Sequence, residues 1–149
     1  MFPFFKTKQF LSRDDERRVM ASIKHAEKES SGEVRVYIES RCHKLTNERT
    51  VEIFRKLKMR NTRERNGVLI YIAVEDKKFA IFGDEGIHQK MGFSFWTNEA
   101  ATLKSFLSED KMVDGICRLV QDIGQTLKTH FPHPTDDKNE LPDKPVYGK

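Results

Sequence analysis

Seven consecutive apolar residues, Val68 to Val74, follow Asn66-Gly67 and make the clearest pattern in the chain. An unbroken apolar run bounded by turn residues predicts a strand covered on both faces. Glu75, Asp76 and Lys77 read as a charged turn, and Lys78 to Phe82 as a second strand that exits into Gly83-Asp84-Glu85-Gly86. So short a turn makes the two strands antiparallel neighbours, with Val74 near Lys78 and Val68 near Asp84. Upstream, Val34, Val36 and Ile38 alternate with Arg35, Tyr37 and Glu39. That alternation predicts a strand with one less protected face, or one near a sheet edge.

Elsewhere the apolar period is helical. Val19, Met20, Ile23 and Ala26 recur behind Ser12, a good N-cap, with Asp14, Asp15 and Glu16 at the positive helix end. Gly32 reads as the end of that helix. Thr46 or Asn47 caps a second helix with the stripe Val51, Phe54 and Leu57. A short helical turn follows Gly86, and after Gly92 a helix from about Phe95 carries Trp96, Leu103, Phe106 and Leu107. The last helix carries Val113, Ile116, Cys117, Val120, Ile123 and Leu127, capped by Asp110 and stopped by Pro132.

Strand, helix, strand, strand and then helices predicts an α/β fold. The expected form is a three-layer α/β/α sandwich with a small mixed central sheet flanked by helices. The strand-helix-strand unit should be parallel and right-handed. This places Glu33, Asn66 and Asp84 at one end of the sheet and Glu39 and Asp76 at the other. Residues 1–11 read as an N-terminal arm, 12–131 as the domain, and 132–149, with four prolines, as an extended tail.

Composition narrows the function classes. With 149 residues, 37% hydrophobic and 34% charged, the chain reads as one soluble domain. A net charge of +4 is too mild to argue for nucleic acid. No apolar run approaches the ~20 residues of a membrane span. Lys6, Lys8 and Gln9 interrupt the apolar N-terminus, which therefore reads as an arm rather than a signal peptide. Cys42 and Cys117 form no C-x-x-C pair, which suits a reducing, cytoplasmic setting. A monomer is expected, with an unidentified protein as its partner.

The hairpin with its Gly-rich acidic exit resembles the TPM domain in its stand-alone, soluble bacterial form. So do SGEVRVYIES (Ser31 to Ser40), the helix EIFRKLKM (Glu52 to Met59), RERNG (Arg63 to Gly67) and NELP (Asn139 to Pro142). The order and spacing of these pieces cover roughly residues 12 to 142. The resemblance implies a fourth strand, for which residues 41–46 and part of the tail are the candidates. It also implies divalent cations bound at crossing loops near the Asp84 end of the sheet, and phosphatase activity in some members.

The residues lead to the same place. Asp84, Glu85, Glu64 and Asn66, with Glu33 behind them, are oxygen donors on adjoining loops, and such donors suit a hard cation, Ca2+ or Mg2+. The competing reading makes Asp84 a helix cap and leaves Glu85 in solvent. Arg60, Arg63 and Arg65 are the candidate anion contacts, since guanidinium forks match phosphate oxygens. Beside a metal ion they would suit a metal-dependent phosphatase, the alternative to a cation-binding module. Nothing in the chain nominates a nucleophile, and His88 reads as an exposed helix residue.

Overall fold

A computed structural model describes residues 10–132 and 144–148. Along these residues the elements are α1 (Arg13–Glu27), β1 (Glu33–Glu39), α2 (Thr46–Lys56), β2 (Gly67–Ala73), β3 (Lys78–Gly83), α3 (Glu85–Ser108), α4 (Met112–His130) and β4 (Val146–Tyr147). The N-terminal arm up to residue 9 and the tail residues 133–143 lie outside the described residues.

The strands form one mixed sheet in the order β3-β2-β1-β4. β1 and β2 are parallel, with Glu33 opposite Gly67 and Glu39 opposite Ala73. The hairpin pairs Val68 with Gly83 and Ala73 with Lys78. That register is one residue tighter than the pattern implied, because Val74 belongs to the turn. The fourth strand comes from the tail: Val146 and Tyr147 pair in parallel with Tyr37 and Ile38. This makes β1 an interior strand rather than an edge, and all seven of its residues are buried.

Two apolar layers sandwich the sheet. Val34, Val36, Ile38, Val68, Ile70 and Ile72 face α1, α3 and α4. Leu69, Tyr71 and Ala73 face the other way, against Ile53 and Phe54 of α2. Glu39 of β1 survives burial because partners reach it. Arg49 Nε and Nη2 donate to the Glu39 carboxylate at 2.9 and 2.8 Å, and the Tyr71 hydroxyl donates to it as well. Burial and the Glu39 carboxylate together push the Tyr71 hydroxyl pKa upward.

Three expected helix boundaries change. Ser12 caps α1 as its type predicts, but α1 ends at Glu27, and Gly32 is needed for a different reason. A Cβ there would stand 2.5 Å from Leu127 Cδ2, so glycine lets β1 start against α4. Leu45, without a side-chain bond, takes the N-cap position of α2, so neither Thr46 nor Asn47 does. Asp110 does not cap α4, which starts after Lys111. With φ 57°, Asp110 instead turns the chain between α3 and α4.

Candidate functional site

The parallel register of β1 and β2 and the antiparallel register of β3 bring three segments to one end of the sheet: Ser31 to Glu33, Thr62 to Gly67, and Asp84 to Gly86. Asp84, 3% exposed, is the N-cap of α3, and its Oδ1 accepts from Glu85 N at 2.8 Å. Arg65 embraces it. Nε donates to Oδ2 at 2.7 Å and Nη2 to Oδ1 at 2.9 Å, while Nη2 also lies 3.1 Å from Glu85 Oε2. The Asp84 hydrogen bonds hold the Arg65 guanidinium pKa above its ordinary value. Arg65 also works through its backbone. In the left-handed conformation (φ 52°), its carbonyl accepts from Gly86 N at 2.8 Å. One residue therefore neutralises both acidic side chains and satisfies a free amide of the α3 N-terminus.

A second chain of polar contacts runs beside the first. Asn66, 1% exposed, donates from Nδ2 to Ser31 Oγ at 3.0 Å, and the Ser31 hydroxyl donates to the Glu64 carboxylate. Asn66 Oδ1 is buried and has no donor among the described residues. Glu33, 2% exposed, starts β1 at the same end.

The candidate set thus divides. Glu64 and Asn66 meet through Ser31, which the sequence reading left out. A hydroxyl next to Gly32 offers no signal until the strands are paired. Asp84 and Glu85 belong to Arg65 instead. Among the described residues no three His, Cys, Asp or Glu side chains gather closely enough to hold a metal. Of the candidate anion contacts, Arg60 and Arg63 are exposed, while Arg65 is committed to Asp84. His88 is not an exposed helix residue. It is half-buried, its Nδ1 accepts from Trp96 Nε1 at 3.1 Å, and it meets Phe93 edge-on with centroids 4.7 Å apart.

Next to this site opens a cleft of about 670 Å³. Its walls are α2 on one side of β3 and the His88–Trp96 part of α3 on the other. Arg55, Arg60 and Arg65 stand along its lining.

A family model described as the TPM domain matches residues 5–126. The chain belongs to the TPM domain family. A solved structure similar to it over nearly the full length is the NMR structure of BA42 protein from the psychrophilic bacterium Bizionia argentinensis. That likeness has a TM-score of 0.88 at 36% identity, covering 96% of this chain and 99% of that one. The N-terminal domain of cg2496 protein from Corynebacterium glutamicum shares the fold, with a TM-score of 0.64 at 13% identity over 79% of this chain and 74% of that one. No curated protein matches the chain significantly. Among the described residues of this TPM protein, no helix is long and apolar enough to cross a membrane.

The Arg65–Asp84 embrace predicts a stability effect. Asp84→Ala removes the α3 cap and leaves Arg65 without its main partner. It is expected to cost about 1.5 kcal/mol in urea unfolding, with Asp84→Asn, which keeps an accepting oxygen for the cap, recovering part of the loss. An unchanged unfolding midpoint for Asp84→Ala would show that the cap carries no weight.

Proposed function

We propose that this TPM protein is a non-enzymatic module that binds a hard divalent cation, Ca2+ or Mg2+, at the loop end of its sheet. Binding there would order the loops that it offers to a partner protein. The observation that carries this reading is Asn66 Oδ1, an amide oxygen that is buried and lacks a donor among the described residues. Leaving a buried acceptor unsatisfied costs about 1–3 kcal/mol, and a cation bound to it would relieve that cost. Glu64, Asn66 and Ser31, with Glu33 behind them, are all oxygen donors, as such an ion prefers. Asp84 and Glu85 fit less well. Arg65 places a positive charge between them and any ion, so they enter coordination only if Arg65 lets go. The ion's chemistry would be to draw the Ser31–Glu33 and Glu64–Asn66 segments together.

The phosphoester alternative is less well supported. It would use the same ion with an arginine anion seat, but Arg65 is occupied by Asp84 and Glu85.

Thermal unfolding with EDTA, Mg2+ or Ca2+ tests the proposal. At tenfold excess over Kd, a cation bound only to the folded state adds about 1.4 kcal/mol, a rise of several degrees in Tm. Glu64→Gln, an exposed change, is expected to abolish the rise, and Asp84→Ala to keep it. No rise with either ion in the wild type would refute the cation reading.

A further inference from the structure

We infer that the cleft beside β3 is a docking groove for an extended peptide segment of a partner protein, one that carries carboxylates at the end lying over Arg55 and Arg60. The inference does not rest on the cation reading. It begins with the sheet edge. β3 pairs only with β2, so one long side of it is open among the described residues. Asp84 N donates to Gly67 O at 2.9 Å, which makes Asp84 and Gly67 a hydrogen-bonded pair of the antiparallel ladder. Such pairs alternate with pairs whose backbone groups point away from each other. With Val68 opposite Gly83 and Ile70 opposite Ile81, the residues directed away from β2 are Phe79, Ile81 and Gly83. Three N–H and three C=O groups therefore point to the open edge over about 13 Å, the span of a five-residue strand, and Ile81 and Gly83 line the cleft.

Sheet edges of this kind are usually blunted by inward charges, prolines or bulges. β3 reads KFAIFG: after Lys78 it has no charge and no proline, and its pairing with β2 runs without a bulge. The helices on either side instead shape the edge into a slot. Val51 and Phe54 of α2 form one wall, and Trp96 and Phe93 of α3 the other. A slot of that form excludes a second sheet but admits one strand, whose alternate side chains would lie against the two walls. Phe93 is 78% exposed, unusual for a large apolar side chain, and it stands at the mouth beside the Gly92 kink.

Charge selects the occupant. Arg65 is taken up by Asp84 and Glu85. Arg55 and Arg60 line the same cleft, are exposed, and make no ion pair among the described residues. Arg55 lies in the last turn of α2, and Arg60 follows a few residues on. Both belong to the Gly83 end, because α2 crosses back to the start of β2.

The test uses acetylated heptapeptides of alternating Val and Thr that end in two Asp. A second set carries the Asp pair at the N-terminal end, to cover both strand directions, and a third carries Lys in place of Asp. Amide exchange and shifts are read by NMR on the full chain in EDTA, so the outcome is independent of any cation. In the free protein the amides of Phe79, Ile81 and Gly83 should exchange fast, and those of Ala80 and Phe82 slowly. One of the Asp peptides should slow the first three at least tenfold and shift Phe93. The Lys peptide, or the Asp peptide on the Arg55→Ala/Arg60→Ala protein, should bind about tenfold more weakly, as expected for two partly exposed charge pairs. Phe93→Ala, an exposed change that leaves the fold intact, should also weaken binding. Four results would overturn the inference: no protection of these amides at millimolar peptide, equal binding of the Lys peptide, the same shifts from inorganic phosphate alone, or protection in the free protein that grows with protein concentration through pairing of two copies.

Discussion

Gly86→Ala is expected to destabilise the protein by at least about 3 kcal/mol, lowering Tm by roughly 10 °C. Helix propensity alone argues the opposite. Gly86 lies in the first turn of α3, where alanine is worth up to about 1 kcal/mol over glycine. Contact decides the sign. A Cβ on Gly86 would overlap the carbonyl oxygen of Glu64 and stand 2.7 Å from that of Arg65. Both obstacles are backbone, so no side chain can rotate away. The Glu64–Arg65 loop would have to back off, losing the Gly86 N to Arg65 O bond at 2.8 Å and loosening the Arg65 embrace of Asp84. Gly92→Ala is the control. Gly92 also needs glycine, because φ 73° with ψ 176° is a conformation that side chains avoid, but a Cβ there meets nothing within 4 Å, so the cost is backbone strain alone, about 1–3 kcal/mol. Denaturant unfolding of the two variants measures the contrast. A Gly86→Ala protein as stable as the wild type would mean that the loop does not sit against α3.

Glu99 should make the protein lose stability as pH rises from about 4.5 to about 7. The residue lies on α3, is 7% exposed, and its Oε1 has no hydrogen-bond partner among the described residues. Burial first, and then the neighbouring Asp122 carboxylate on α4, raise its pKa from 4.5 to about 7, with Arg118 opposing. Arg118 is itself drawn to Asp122, its Nε 3.4 Å from Oδ1. An acid with a raised pKa is held protonated by the fold. Its contribution is therefore complete below the unfolded value and disappears as pH passes the folded one. Above pH 7 the charged carboxylate opposes folding. Glu99→Gln keeps the shape without the charge and should stabilise the protein at pH 8 by about 2–3 kcal/mol, with little effect at pH 4.5. Urea unfolding at the two pH values checks this. Equal effects of the substitution at both would show that Glu99 does not titrate between them.

The hairpin was legible because its signals are local. An apolar run, a charged turn and a second short strand specify an antiparallel pair, and the structure moved the register by one residue only. Helix faces were legible for the same reason, since a stripe such as Val113, Ile116, Val120 and Ile123 needs no knowledge of its partner. Helix ends were less so, because Asp110 and Thr46 have the right type for a cap but serve other positions.

The chain's own pattern determined the three-layer α/β/α architecture and the convergence of the Ser31, Arg65 and Asp84 segments at one end of the sheet. Both follow from periodicity and from the handedness of a parallel crossover, which hold whatever the side chains later touch. Only the tertiary structure decided that β1 is interior, since the strand beside it is two residues of a proline-rich tail without a pattern of its own. It also decided that Asp84 faces Arg65. A carboxylate's partner depends on where a left-handed loop residue, distant along the chain, aims its guanidinium, and no local spacing encodes that direction.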